Sequence, residues 1–153
     1  MNSFGVSFSW DWVCRRIVED SQEAIIFADR EGIIRLWNMG SETMFGHPGA
    51  EAVGQPLDLI IPENLRGRHN EGYRKVMAAG VTRYDRELLA VPGLRKDGTR
   101  VSLEFSLTLI RSPEGEILGT AAIIRDVTAR WERDKTLKQR LAALEAQIKL
   151  PTP

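Results

Sequence analysis

The chain has 153 residues, enough for one domain with its own core, and its content of 42% apolar and 27% charged residues is that of an ordinary folded domain. Its 21 Lys and Arg balance 21 Asp and Glu, so no net field recommends a nucleic acid or an anionic membrane as partner. A single cysteine, Cys14, excludes an internal disulfide framework and fits a reducing compartment. No apolar run approaches the ~20 residues of a spanning helix, and the N-terminus lacks the charged-then-apolar order of a secretion signal. A soluble, cytoplasmic protein is expected.

In chain order, Phe8 to Ser21 carries Trp12, Cys14, Ile17 and Val18 among charges, which predicts a short amphipathic helix. Ala24–Asp29 and Gly32–Asn38 are apolar runs around a D-R-E-G turn, a hairpin signal. Short helical pieces follow, broken by Gly46-His47-Pro48-Gly49 and Gly54, with Pro62 ahead of a longer helix from Asn64 to Ala79 that stops at Gly80. Arg86 to Leu94 reads as a strand ending at a K-D-G turn. Val101, Leu103, Phe105, Leu107 and Leu109 then alternate with polar residues, as in a strand with one buried face. The turn Ser112-Pro113-Glu114-Gly115-Glu116 leads into a last strand from Ile117 to Ile124.

This order predicts an α+β fold: a five-stranded antiparallel sheet with short helices on one face, flanked by N- and C-terminal helices. Such an arrangement can hold a cavity between its two layers. The expected segments are an N-terminal helix or cap at 1–20, a sensor domain at 21–128, and a C-terminal helix with a short tail at 129–153.

The hairpin ending I-I-R-L-W-N, the F-G-H turn, the segment A-V-G-Q-P-L-D-L-I-I-P, the K-D-G-T turn and the terminal R-D-V-T together resemble a PAS domain. The resemblance covers residues 21–128. PAS folds host many functions, so the site has to decide among them. R-H-N-E-G-Y on the long helix, followed by R-K-D-G-T, is similar to the haem-binding PAS domains of bacterial oxygen-sensing histidine kinases. That resemblance implies haem b, with the histidine at position 69 as its proximal iron ligand. It also matches Lys75 and Arg83 to basic positions near the haem propionates; Arg66, Arg68 and Arg74 are alternatives.

Spacing agrees with part of this. Leu65, His69, Tyr73, Val76 and Met77 fall on one helical face, where a neutral imidazole aimed into an apolar cavity suits an axial iron bond. Tyr73 is the less suitable ligand, because an unperturbed phenol titrates near about 10. The resemblance departs on the distal side. The oxygen-contacting arginine of the resembled family falls at about Leu89, and Arg83 to Leu94 contains no methionine ligand. The expected distal wall is aliphatic, made of Leu89, Val91, Leu107 and Ile123, with Arg86 as a basic residue able to turn inward.

The other reading of His69 is a half-buried packing residue bonded to backbone or water, as in PAS domains without haem. His47, in a Gly-His-Pro-Gly turn, is expected to be solvated. Trp37-Asn38 is expected to pack in the core rather than stack on a flavin, and Cys14 lies outside the region where a flavin adduct would form. Glu104 is expected to pair with Arg100 at the surface. No phosphate loop, C-x-x-C or H-E-x-x-H pattern occurs, and nothing orients a Ser-His-Asp set, so the chain is not expected to be an enzyme.

Beyond Asp126, a helix-capping residue with Thr128 as its alternative, Trp131, Leu137, Leu141, Leu144 and Ile148 mark an apolar stripe with coiled-coil steps. In PAS proteins such a helix passes the ligand state to an output domain. Because the chain ends at Pro153, the expectation is a stand-alone sensor or a piece of a longer protein. Two functions follow: a haem-dependent sensor of a diatomic gas or redox state, or a non-haem PAS module for dimerisation or small-organic-ligand sensing. Both imply a homodimer through the flanking helices and an output kinase or other signalling partner, with no nucleic acid and no membrane.

Overall fold

The first hairpin shows how local chemistry sets the frame. β1 (Ala24–Asp29) and β2 (Ile34–Trp37) turn over Asp29, whose Oδ1 accepts from the backbone N–H groups of Glu31 and Ile33 at 3.1 and 3.0 Å. Gly32 takes φ +78° within that turn, a conformation that costs glycine little. The computed structural model describes residues 8–82 and 88–149. Ahead of the hairpin lies α1 (Trp10–Asp20), capped by the Ser9 hydroxyl accepting from Trp12 N–H. After it come α2 (Met39–Phe45), α3 (Gly49–Ala52), a 3-10 turn at Leu57–Ile60 and α4 (Glu63–Ala79). The remaining elements are β3 (Leu89–Leu94), β4 (Arg100–Arg111), β5 (Ile117–Asp126) and α5 (Thr128–Ile148).

The five strands pair in the order β2-β1-β5-β4-β3, and every neighbouring pair is antiparallel. Cross-strand partners share a face, so the register sorts the sheet. Ala24, Ile26 and Ala28 lie beside Ile124, Ala122 and Thr120, and these beside Phe105, Leu107 and Leu109. Leu89, Val91 and Gly93 complete that face opposite Phe105, Leu103 and Val101. Helices cover this side, and burial concentrates at one end of it. Ala24, Ile26, Ile34, Trp37, Phe45, Ala52, Ile60, Val101, Leu103 and Ile124 form one buried cluster. The expected α+β architecture is the observed one.

Boundaries differ from the sequence reading by small, explicable amounts. β3 begins at Leu89; Arg86 lies outside the described residues. β4 and β5 run longer than their apolar alternation, to Arg111 and Asp126, because the sheet's hydrogen bonds continue into polar residues. Trp37 packs in the core, its ring centroid 5.5 Å from that of Phe45. His47 is more enclosed than a solvated turn residue: its ring stands edge-on to Trp37 at 6.4 Å, and burial with the nearby Lys96 charge holds its pKa below the usual imidazole value. Glu104 pairs with Arg130 of α5, not with Arg100, which instead reaches Asn64. No helix among the described residues is long and apolar enough to cross a membrane.

Candidate functional site

α4 carries the residues that the sequence singles out. Pro62 precedes it, and Gly80 closes it in the left-handed conformation at φ +69°. Its half-buried positions are Leu65, Arg66, His69, Asn70, Tyr73 and Val76, with Met77 fully buried; Gly67, Arg68, Glu71, Gly72, Arg74 and Lys75 face solvent. One face therefore looks toward the sheet, as the periodicity requires.

Tyr73 fixes that face. Its hydroxyl donates to the Asp29 carbonyl at 2.6 Å and lies 3.2 Å from the Ala28 carbonyl, while Thr120 donates to it at 3.4 Å. Burial pushes the phenol pKa upward, and the Asp29 charge adds to the effect. A neutral phenol anchored to backbone carbonyls is a strut rather than an anionic ligand. One turn earlier, the His69 ring lies 6.0 Å from the Tyr73 ring. His69 Nδ1 meets Asn70 Oδ1 at 3.1 Å, and Asn70 Nδ2 donates to Asp58 Oδ1 at 3.0 Å. Among the described residues, His69 Nε2 makes no hydrogen bond.

Across from α4 the inner sheet face is incompletely covered. Leu89, Phe105, Leu107 and Leu109 are only half-buried, and Val91 is 39% exposed, although all five stand on the helix-facing side. A cleft of about 380 Å³ opens beside them, lined by Gly80, Val81, Leu107, Thr108, Leu109 and Arg111. The cleft lies at the Gly80 end of α4, and His69, Tyr73, Leu89 and Val91 are not among its lining residues.

His69 and Tyr73 share one face of α4, and Leu89, Val91 and Leu107 share the inner face of the sheet, but two expected members fall outside these faces. Ile123 stands in register with Ile25 and Ser106 on the opposite face of the sheet and is 45% exposed. A strand reverses face at every residue, so Ala122 and Ile124 are its inward neighbours. Lys75 lies on the solvent side of α4, paired with Glu71 at 2.8 Å one turn back, and does not approach the inner face. Of the alternatives, Arg68 and Arg74 are exposed, whereas Arg66 is half-buried and donates to the Ile61 carbonyl. Arg83 lies outside the described residues. The sequence reading missed Asn70 and Asp58, whose contact joins residues 12 apart across the 3-10 turn. It also passed over Thr120, and Phe105 and Leu109 as inner-wall residues, though the β4 alternation already marked both as inward.

A family profile for the PAS fold matches residues 18–132. The chain belongs to the PAS family. Among curated relatives, an uncharacterised protein of Azorhizobium caulinodans is 31% identical over 82% of this chain and 17% of its own length. The sensor protein FixL of Bradyrhizobium diazoefficiens is 30% identical over 82% of the chain and 24% of its length. The oxygen sensor protein DosP of Escherichia coli is 23% identical over 84% of the chain and 16% of its length. The chain thus spans less than a quarter of these relatives. Among solved structures, a PAS domain from Colwellia psychrerythraea superposes with a TM-score of 0.69 at 23% identity, covering 79% of this chain and 99% of that one. An RNA-binding light-oxygen-voltage receptor gives 0.73 at 23%, covering 93% and 40%. This PAS domain is a module of the kind carried by signalling sensor proteins.

Proposed function

We propose that this PAS domain binds haem b through His69 and serves, without catalysis of its own, as a sensor of a diatomic gas or of redox state. The observation that carries the reading is the half-buried His69 on the same face of α4 as Tyr73, with Nδ1 engaged and Nε2 without a hydrogen bond among the described residues, in a fold whose inner sheet face keeps half-covered aliphatic residues on β3 and β4. The donor set suits the group: one imidazole on a half-buried helix face and aliphatic side chains on the inner face of β3 and β4. Bound haem would supply an iron site for a small gas; His69 would hold it, and the apolar side chains around it and the flanking helices would enclose it and relay its state. Relatives named as a sensor protein and an oxygen sensor protein are consistent with this role. Assembly as a homodimer and relay to an output kinase or other signalling partner belong to the same proposal.

A second reading follows from the cleft at Leu107 and Leu109. A small organic ligand could occupy it with no metal, His69 and Tyr73 then serving as packing. Haem titration separates the two. The first reading expects a Soret band that saturates at one haem per chain, its loss in His69→Ala, and partial return when imidazole fills the vacated axial site. Protein that remains colourless after haem addition, or a His69→Ala variant with an unchanged ferrous spectrum, removes His69 as the ligand.

A further inference from the structure

Asn70 adjoins His69 on α4, and both side chains are half-buried. Its amide is held from outside the helix: Nδ2 lies 3.0 Å from Oδ1 of Asp58 in the 3-10 turn. A carboxylate only accepts, so the amide nitrogen must face Asp58 and the amide oxygen must face the imidazole. Turning the amide over would set two oxygen acceptors against each other. The amide oxygen in turn only accepts, so the Nδ1 it meets at 3.1 Å must carry the proton. A neutral imidazole has one N–H. Nε2 is left with its lone pair.

We infer that Asn70, oriented by Asp58, is a positioning residue that locks His69 in the Nδ1-protonated tautomer and so presents Nε2 as a ready metal ligand. The tautomer itself is a property of the haem-free chain; its use as an iron ligand rests on the haem reading. A metal-bound histidine that donates its second nitrogen to an outer partner is fixed in ring orientation and made more basic. Here that partner is an amide, and the carboxylate behind it sets the direction of the whole chain of donors. The side-chain contacts of Asn70 among the described residues are with His69 Nδ1 and Asp58, so its influence on Nε2 runs through the imidazole.

The test uses the full chain without haem, labelled with nitrogen-15 at histidine, at a pH where imidazole is neutral. Only His47 and His69 contribute, and a His47→Gln variant assigns the signals. Long-range proton–nitrogen correlations should show His69 predominantly protonated at Nδ1. Asn70→Leu should shift it to the Nε2-protonated form that an unrestrained imidazole prefers in water. The double variant Asp58→Asn with Asn70→Asp exchanges donor and acceptor and should restore the wild-type tautomer, with circular dichroism confirming the fold of each protein. A wild-type His69 protonated at Nε2, or an Asn70→Leu tautomer identical to wild type, overturns the inference. In haem-loaded ferrous protein, Asn70→Leu should lower the iron–histidine stretching frequency in resonance Raman spectra, and an unmoved band also overturns it. If the wild type takes up no haem, the ligation reading fails while the tautomer measurement still decides the role of Asn70.

Discussion

Leu89 pairs with Phe105 and stands on the inner side of β3. If Leu89, Val91 and Leu107 form the distal wall of the proposed haem site, that wall presents aliphatic side chains and no hydrogen-bond donor. Carbon monoxide depends little on such a donor, whereas dioxygen gains about 1–3 kcal/mol from one with ionic character. The haem-loaded protein should therefore bind carbon monoxide readily and hold dioxygen poorly. Leu89→Arg should slow dioxygen dissociation in stopped-flow measurements; an unchanged rate would place that side chain away from the gas. Asn38 shows the opposite condition, full satisfaction. Its Oδ1 accepts from Ile25 N–H and Ser41 N–H at 2.8 and 3.0 Å, and its Nδ2 reaches the carbonyls of Val18, Ser21 and Glu23. Asn38→Ala would strand several of these groups in a site only 4% exposed, costing roughly 2–4 kcal/mol in urea unfolding. A loss below about 1 kcal/mol would mean that water replaces the amide. His69 was legible because helical spacing alone places it; the roles of Asn38 and Asn70 were not, because their partners come from other turns of chain.

At the scale of elements, the root of α5 is a small electrostatic joint. Val127 N–H donates to the Ser102 carbonyl, and Ser102 N–H donates to the Thr128 hydroxyl, so the helix starts against β4. Asp126 accepts from the N–H and hydroxyl of Thr128, at 2.9 and 2.6 Å, and pairs with Arg95 at 2.7 Å. Burial pulls the Asp126 pKa up, but the Thr128 hydrogen bonds and the Arg95 charge outweigh it and hold the carboxyl below its usual range. A carboxylate depressed in the folded state contributes stability above the unfolded pKa, about 3.9, and that contribution is lost as pH falls through the lower folded value. Asp126→Asn should therefore be less stable than wild type at neutral pH, with the gap closing below about pH 3.9. A gap independent of pH would show that shape, not charge, holds the joint. The sequence pointed to Asp126 and Thr128 as alternative caps; in the structure Val127 holds the cap position with no side-chain cap hydrogen bond, and Asp126 instead binds Thr128, the first helical residue. Strand faces were legible from alternation in β4. The inward side of β5 was not, since Ala121, Ala122, Ile123 and Ile124 form a continuous apolar run, and this is how Ile123 was placed on the wrong face.

At the scale of the whole molecule, the flanking helices leave more apolar surface in water than the core can cover. Trp10 is 73% exposed and Trp12 59%, while α5 has no buried residue and shows Leu137, Leu141, Leu144 and Ile148 along one stripe, Ile148 at 82%. Burying side chains of this size stabilises by roughly 1.5–3 kcal/mol each. α2, α3 and α4 already cover part of the sheet's inner face, and what remains there is too little to bury both flanking helices as well. A second copy offers a better solution. The steps from Leu137 to Ile148 are those of a two-stranded seam, and Arg140 and Glu145 flank it where a parallel partner brings opposite charges together. Light scattering at micromolar concentration should report about twice the 17.2 kDa chain mass. Leu141→Asp with Leu144→Asp should shift the protein toward monomer, because four carboxylates would meet within one stretch of the seam, while the far-ultraviolet signal of the sheet persists. Arg140→Glu alone should weaken the dimer, and adding Glu145→Arg should restore it, a reciprocity that an antiparallel pair or an intramolecular fold-back would not produce. A wild-type monomer under these conditions would assign both stripes to the outer sheet face of their own chain and remove the parallel seam from the description of this molecule.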